Sequence, residues 1–532
     1  MDAGGPEGLG GRQGVKAVTD SRQDLFGPSG TPTVIVIGAG LGGVAAGVKL
    51  KRAGIETFQI FERSPSAGGT WWDNDYPGCE VDVGSYLYSY SFKQRYAWTR
   101  THATQPELLR YIQEVIDEQG LRPHIRLGTA VTQAEWDEAR HIYRVTLDNG
   151  EVHECNVLIS AVGFLNTPRY PTWPGLEDFA GPKFHTFHWE HEHDLTGKKV
   201  AIVGTGSTAT QIVPMLAPTV DSLTLFQREP GWIIPKGDRD YSPEDMSKFR
   251  RALSRRRERI RLFVWLEMAN FRRAIYRPGT KVNDNLEKIC RDFIDAELAD
   301  HPELRQAVTP SYPFPGKRPI FNQTFYAALK ADNVTLIPRA VTEVTPKGIV
   351  DTEGTEHQVD VIVMATGFQP TNYLASFEII GRQGRSLHET WAGEPEAFLG
   401  MTVPGFPNFY MLYGPNTNGG EIIYFLEHQS AYAVRAMKRM MGQRVTAIEV
   451  RPGAFRTFNR WMQRNMHGTS WLLTSNYFKA ATGKVVTQWP HGALFYGFLT
   501  NVLGRISSTA RRAERVGPTA AASPVTSEPA AR

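Results

Sequence analysis

Two glycine-rich turns, each set between an apolar strand and a helix, constrain this chain more than any other feature in it. Residues 33–37 are a β-branched apolar run that ends in Gly38-Ala39-Gly40-Leu41-Gly42-Gly43. A helical pattern through Val44, Ala45, Val48 and Leu50 follows, and then a second apolar run at 57–61. Continuous apolar sequence marks strands buried on both faces, so this is a βαβ unit of a parallel sheet. In such a unit Gly38 makes the turn, Gly40 lets the backbone approach a pyrophosphate, and Gly43 lets helix pack on strand. The anion sits on the N–H groups at the helix start. The arrangement recurs at 199–203, Gly204-Thr205-Gly206-Ser207-Thr208-Ala209, an apolar helix through Ile212 and Leu216, and a strand at 223–226. Such a chain is expected to be an α/β protein with two Rossmann-like dinucleotide-binding domains.

The residues that close the two second strands differ in charge. Glu62 and Arg228 lie equally far beyond Gly38 and Gly204 and are read as ending equivalent strands. A carboxylate there suits a bare ribose and repels a 2′-phosphate, whereas a guanidinium grips that phosphate through two parallel hydrogen bonds. The first cradle is therefore expected to hold FAD and the second NADPH. Two later runs, 156–162 leading to Gly163 and 360–364 leading to Ala365-Thr366-Gly367, look like strands returning to a nucleotide site. One precedes the second cradle and one follows it, which inserts the second domain into the first. The expected boundaries are 31–166 and 352–504 for the FAD domain and 167–351 for the NADPH domain, with a helical insertion at 241–310.

Composition narrows the function classes. Basic and acidic residues nearly balance, 59 against 55 in 532 residues, so the net charge of +4 implies no polyanion, and nucleic acid is not an expected partner. Cys79, Cys155 and Cys290 are far apart in sequence, which excludes a CxxC redox pair and fits a reducing, cytoplasmic location. The longest apolar stretch, 34–48, is broken by glycines and is too short to span a bilayer, so no stable membrane insertion is expected. Residues 1–30 and 505–532 are rich in Gly, Ala, Pro and polar residues and read as disordered tails. His185, His188, His191 and His193 lack the spacing that zinc favours, so no metal site is expected. The basic run 250–261 reads as a solvated face of the insertion, which would cover the active-site cleft. The apolar segment 492–504 either docks on the body or touches lipid.

After Glu62 come Gly68-Gly69-Thr70-Trp71, Tyr76-Pro77-Gly78 and Asp82, and between the cradles stand Phe179, Gly181, His185 and Trp189. The first set resembles a fingerprint of flavin-dependent Baeyer–Villiger monooxygenases, and the second is similar to their F-x-G-x-x-x-H-x-x-x-W motif. Lys317-Arg318-Pro319, 360–368, Gly414-Pro415-Asn416 and Trp489-Pro490 look like further landmarks, so the resemblance covers nearly all of 31–504. Two departures stand out: Glu190 follows the second motif where the family usually has Pro or Asp, and Ala161-Val162-Gly163 replaces Ala-Thr-Gly. Trp189, where amine and sulfide oxidisers of the superfamily have Tyr, favours carbonyl oxidation.

The resemblance implies an NADPH- and O2-dependent enzyme that converts a small-molecule ketone to an ester or lactone through a C4a-peroxyflavin, a nucleophile no side chain supplies. It also implies that Arg318 and Asp82 are catalytic, the cation keeping the peroxide anionic and the carboxylate fixing its direction. Gly69, Trp71 and Asp82 would join Gly38, Gly40, Gly43 and Glu62 around FAD. Lys317 and Trp489 would join Gly204, Gly206, Ala209 and Arg228 around NADPH. The expected assembly is a monomer or weak homo-oligomer. The alternatives are a nitrogen or sulfur oxygenase of the same superfamily, and an uncoupled NADPH oxidase or nucleotide-binding sensor.

Overall fold

The computed structural model of the chain describes residues 23–27 and 29–513. Two five-stranded parallel sheets organise them. The first runs Phe409–Met411, Val157–Ser160, Val34–Ile37, Phe58–Phe61, Ile125–Arg126 in spatial order. The second runs Val334–Ile337, Ser222–Phe226, Lys199–Val203, Val361–Met364, Lys183–His185. The central strands are apolar and buried on both faces, as parallel strands covered by helices must be. In chain order the second sheet is completed before Phe409–Met411 returns to the first, so one α/β unit is threaded through the other.

The sheets match strand for strand at their centres. Val157–Ser160 flanks the first glycine-turn strand on the side away from Phe58–Phe61, and Val361–Met364 occupies the same place in the second sheet. The packing is equivalent too. Gly38, at φ 100°, lies so close to the carbonyl of Ala161 that a Cβ would stand 2.9 Å from its oxygen, and Gly204, at φ 116°, meets Ala365 in the same way. This corrects the expected domain boundary. Residues 361–364 belong to the second sheet, because Val361–Met364 pairs with Lys199–Val203 and cannot also close the first.

Smaller elements decorate the frame. The antiparallel strands Val341–Thr345, Gly348–Asp351 and Glu356–Gln358 lead into Val361–Met364. The expected insertion is helical, with Pro243–Phe249, Ala252–Asn270, Lys281–Glu297 and Pro302–Val308 bracketed by the paired short strands Ile233–Ile234 and Ile320–Phe321. Within the expected tails, residues 1–22, 28 and 514–532 lie outside the described residues. The remainder departs from the expectation: Gln23–Phe26 is helical, and Ser508–Arg511 is a strand paired antiparallel with Ala447–Val450. That pairing fixes the backbone hydrogen bonds of a segment whose composition alone reads as polar and structureless.

Gly43 tests the frame. A Cβ there would overlap the carbonyl oxygen of Gly38, a backbone atom that cannot swing aside. Gly43→Ala is expected to cost ~1–3 kcal/mol by overpacking, read as a lowered thermal midpoint. An unchanged midpoint would show that the turn relaxes freely.

Candidate active site

Both glycine turns open into one cavity of about 1140 Å³. Gly40 and Gly206 are the N-caps of helices Leu41–Arg52 and Ser207–Leu216, and neither helix start has a side-chain cap. The first intrahelical donors are Val44 and Thr210, so the N–H groups ahead of them have no partner within the helix and carry the positive end of its dipole. A Cβ at Gly206 would enter open space, and one at Gly40 would press on Gly69 Cα at 3.3 Å. These two uncapped, side-chain-free helix starts fit the pyrophosphates of two dinucleotides.

At the first cradle the buried Glu62 carboxylate accepts from the N–H groups of Ala39 (2.7 Å) and Ser64 (2.9 Å), and its oxygens keep further lone pairs toward the cavity. The Gly68-Gly69 turn closes over it, Gly68 N–H donating to Ala39 O at 3.1 Å, and the Trp71 indole N–H donates to the Tyr88 hydroxyl at 3.2 Å.

The second cradle differs from expectation in register. Gly38 N–H donates to Phe61 O and Gly204 N–H to Phe226 O, which makes Phe61 and Phe226 equivalent. The counterpart of Glu62 is therefore Gln227, not Arg228, since the second unit reaches its strand end one residue sooner. Gln227 is buried, and its amide donates to Ala307 O at 2.8 Å. Arg228, one residue on, is exposed on the cavity wall and has no ion-pair partner among the described residues. Lys317 lines the same wall and is ion-paired with Glu229, the neighbour of Arg228.

Asp82 and Arg318 meet between the cradles, Nη2 to Oδ2 at 2.5 Å. Side-chain exposures of 25% and 41% open onto the cavity they both line. Burial pushes the Asp82 carboxyl up, but the adjacent guanidinium outweighs it and holds the group below the ordinary carboxylate value. Asp82 in turn raises the Arg318 guanidinium, so both stay ionised. The loop that carries Asp82 is strapped to the second domain. Tyr76 Oη donates to Gln211 Oε1 at 2.9 Å, Gln211 Nε2 donates to Glu80 O at 3.0 Å, and Glu80 pairs with the buried Lys236 at 2.6 Å.

Sequence reasoning missed Tyr413 and Tyr477, which share the Arg318 wall. Burial raises both phenols while Arg318 pulls them down. Tyr413 stands just before the Gly414-Pro415-Asn416 landmark, in a left-handed conformation at φ 59°, and donates to Asn418 Oδ1 at 2.8 Å. No pattern marks Tyr477. Gly43, Gly204 and Ala209 pack behind the turns rather than lining the cavity.

Trp489 is a correction. It is fully buried among Phe425, Trp461 and Tyr496, with its indole N–H donated to Gly492 O, and it does not line the cavity. The helical insertion departs as well, since none of its described residues forms part of the cavity wall. Its basic helix packs instead, Arg259 donating to the carbonyls of Tyr86, Leu87 and Ser89.

The geometry agrees with known proteins. A family model described as pyridine nucleotide-disulphide oxidoreductase matches residues 35–264, which span both cradles. Cys79, Cys155 and Cys290 are buried and unpaired, so the match reflects the nucleotide fold and not thiol chemistry. The chain is 37% identical to a Baeyer-Villiger monooxygenase of Pseudomonas aeruginosa over 463 residues, 86% of this chain and 87% of the relative. It is 39% identical to one of Streptomyces coelicolor over 466 residues, 86% and 88% respectively. The chain belongs to the Baeyer–Villiger monooxygenases. Among solved structures, closed cyclohexanone monooxygenase superimposes with a TM-score of 0.82 at 29% identity, over 91% of this chain and 99% of that one. The enzyme from Rhodococcus sp. Phi1 bound to NADP+ gives 0.81 at 30% identity, over 90% and 99%. In this Baeyer–Villiger monooxygenase both glycine turns open into one shared cavity.

An arginine with no acid to hold it among the described residues, beside an anion-binding helix start, is expected to carry affinity for a phosphate-bearing nucleotide. Loss of charged hydrogen bonds of ~1.5–3 kcal/mol means that Arg228→Ala weakens NADPH binding ~tenfold or more and leaves NADH unaffected. Titration with both nucleotides checks this, and equal losses would contradict it.

Proposed function

We propose that this chain is an FAD- and NADPH-dependent Baeyer–Villiger monooxygenase that inserts one atom of O2 beside the carbonyl of a small-molecule ketone, giving an ester or lactone. The observation that carries the reading is the Asp82–Arg318 pair, a fixed cation on the wall of the cavity that both cradles share. The bound flavin, reduced by NADPH, supplies the oxygen chemistry that side chains lack. Gly38, Gly40, Gly69 and Trp71 hold the FAD, with Glu62 accepting from ribose hydroxyls through its remaining lone pairs. Gly206 and Arg228 hold NADPH. Lys317, tied to Glu229, positions the Arg228 segment or turns to the 2′-phosphate itself. Arg318 stabilises the negative charge that develops as the carbonyl is attacked, in a cavity where water screens it weakly. Asp82 fixes the direction of the guanidinium, as a supporting carboxylate does for a catalytic arginine. Unpaired Cys79, Cys155 and Cys290 support a reducing, cytoplasmic setting.

Arg318→Ala is expected to keep anaerobic reduction of the flavin by NADPH, because hydride transfer does not need the cation. Ester formation should fall by ~100-fold or more, the scale of a lost charge-stabilising donor, with oxygen diverted to hydrogen peroxide. Stopped-flow absorbance and product analysis separate the two steps. Undiminished ester yield, or a wild type that oxidises thioethers but no ketone, would overturn the reading.

A further inference from the structure

Two helices that form no part of the cavity wall leave apolar sides uncovered. In Ala493–Ile506 the inner side is buried through Ala493, Tyr496, Gly497 and Thr500. The outer side carries Leu494, Phe498, Val502 and Ile506, a stripe at every fourth residue that is 56%, 59%, 44% and 62% exposed. In Ala252–Asn270 the inner side packs through Arg255, Arg259 and Phe263, the last ring standing 5.3 Å from Tyr424. Its outer side shows Ile260, Val264, Trp265 and Met268, with Trp265 58% and Met268 66% exposed. A soluble monomer scatters such residues singly; here they are ordered along two helices.

The stripes join. The Glu267 carboxylate accepts from the N–H groups of Ala493 (2.5 Å) and Leu494 (3.2 Å), so the end of one helix caps the start of the other and brings Met268 and Leu494 to the same junction. Arginines lie within and beside the apolar area, Arg257 sharing the face of Leu253, Ile260 and Val264. Arg256, Arg257 and Arg505 are exposed and have no ion-pair partner among the described residues. The two helices contain only two acids, Glu258 and Glu267; one is paired with Arg261 and the other is the cap.

We propose that this two-helix face docks the enzyme on an anionic lipid surface, with the helices lying in the headgroup region. Rows of exposed apolar residues, a tryptophan among them, and unpaired arginines whose long stems carry the charge outward suit a peripheral contact with lipid headgroups. No described helix is long and apolar enough to cross a membrane, so the contact is peripheral. Charge selects this occupant over others. A second copy presenting the same two helices would offer those arginines only Glu258 and Glu267, both already engaged. The chain outside the described residues, 1–22 and 514–532, contains no aromatic residue and few large apolar ones, too little to cover both stripes.

The test is co-sedimentation of the flavin-loaded, full-length enzyme with vesicles of equal parts phosphatidylglycerol and phosphatidylcholine, against phosphatidylcholine alone. Binding to the anionic vesicles is expected, at least ~tenfold tighter than to the neutral ones, given ~1 kcal/mol for each arginine near the surface. The double variant Trp265→Ser/Phe498→Ser and, separately, Arg256→Gln/Arg257→Gln should each weaken it ~tenfold, while NADPH oxidation with ketone stays unchanged. Should the first variant lose its flavin, the arginine pair alone decides. Absence of vesicle binding, equal binding to both vesicle types, or binding untouched by the variants would overturn the proposal. So would a concentration-dependent dimer lost in Trp265→Ser/Phe498→Ser without any vesicle contact, which would assign the face to a second copy.

Discussion

Two helix starts without caps set the terms for the rest of this molecule. A helix N-terminus leaves free N–H groups that a side-chain oxygen, water or a ligand can satisfy, and Leu41–Arg52 and Ser207–Leu216 have no side-chain cap. Water can satisfy such groups elsewhere, but these two helix starts face the shared cavity behind glycine turns, where an anion meets both the N–H groups and the dipole, so a ligand site is written into the backbone before any catalytic side chain is considered. The glycines ahead of each helix bring the turn against the flanking strand of its own sheet, and both helix starts open into one space.

What the chain reveals before folding depends on whether a feature is local. The glycine turns and their apolar strands are short-range patterns, and they place both cradles directly. The partner of each return strand is not short-range. Residues 360–364 have the same apolar character as 156–162, and only pairing with Lys199–Val203 assigns them to the second sheet. Counting from the glycines misleads by one position at Arg228 because the second unit is shorter before its strand end, and a residue count cannot see where a strand stops. Trp489 matches a family landmark, yet the match says nothing about which side of the core the indole faces.

Electrostatics shows the same divide. The resemblance pairs Asp82 with Arg318, and the fold brings them together across a sequence separation no periodicity could bridge. The supporting bonds through Gln211, Glu80 and Lys236 had no sequence signal, because each is an ordinary polar residue made important by its neighbour. Lys317 likewise gains its constraint from Glu229. Outside the cavity, the arginines of Ala252–Asn270 divide by side of the helix: those turned inward satisfy backbone carbonyls, and those turned outward stand beside uncovered apolar residues. A basic run in sequence therefore performs two unrelated tasks on one helix.

Arg318 follows the insertion and precedes Ile320–Phe321, while Asp82 rides on the first domain's loop. Their bond therefore joins the two parts, and any sliding of one sheet relative to the other would strain it together with the Tyr76, Gln211, Glu80 and Lys236 bonds. The cation's aim therefore depends on the relative pose of the two nucleotide holders as well as on its own segment, where Lys317 is tied to Glu229 and Ile320–Phe321 pairs with Ile233–Ile234.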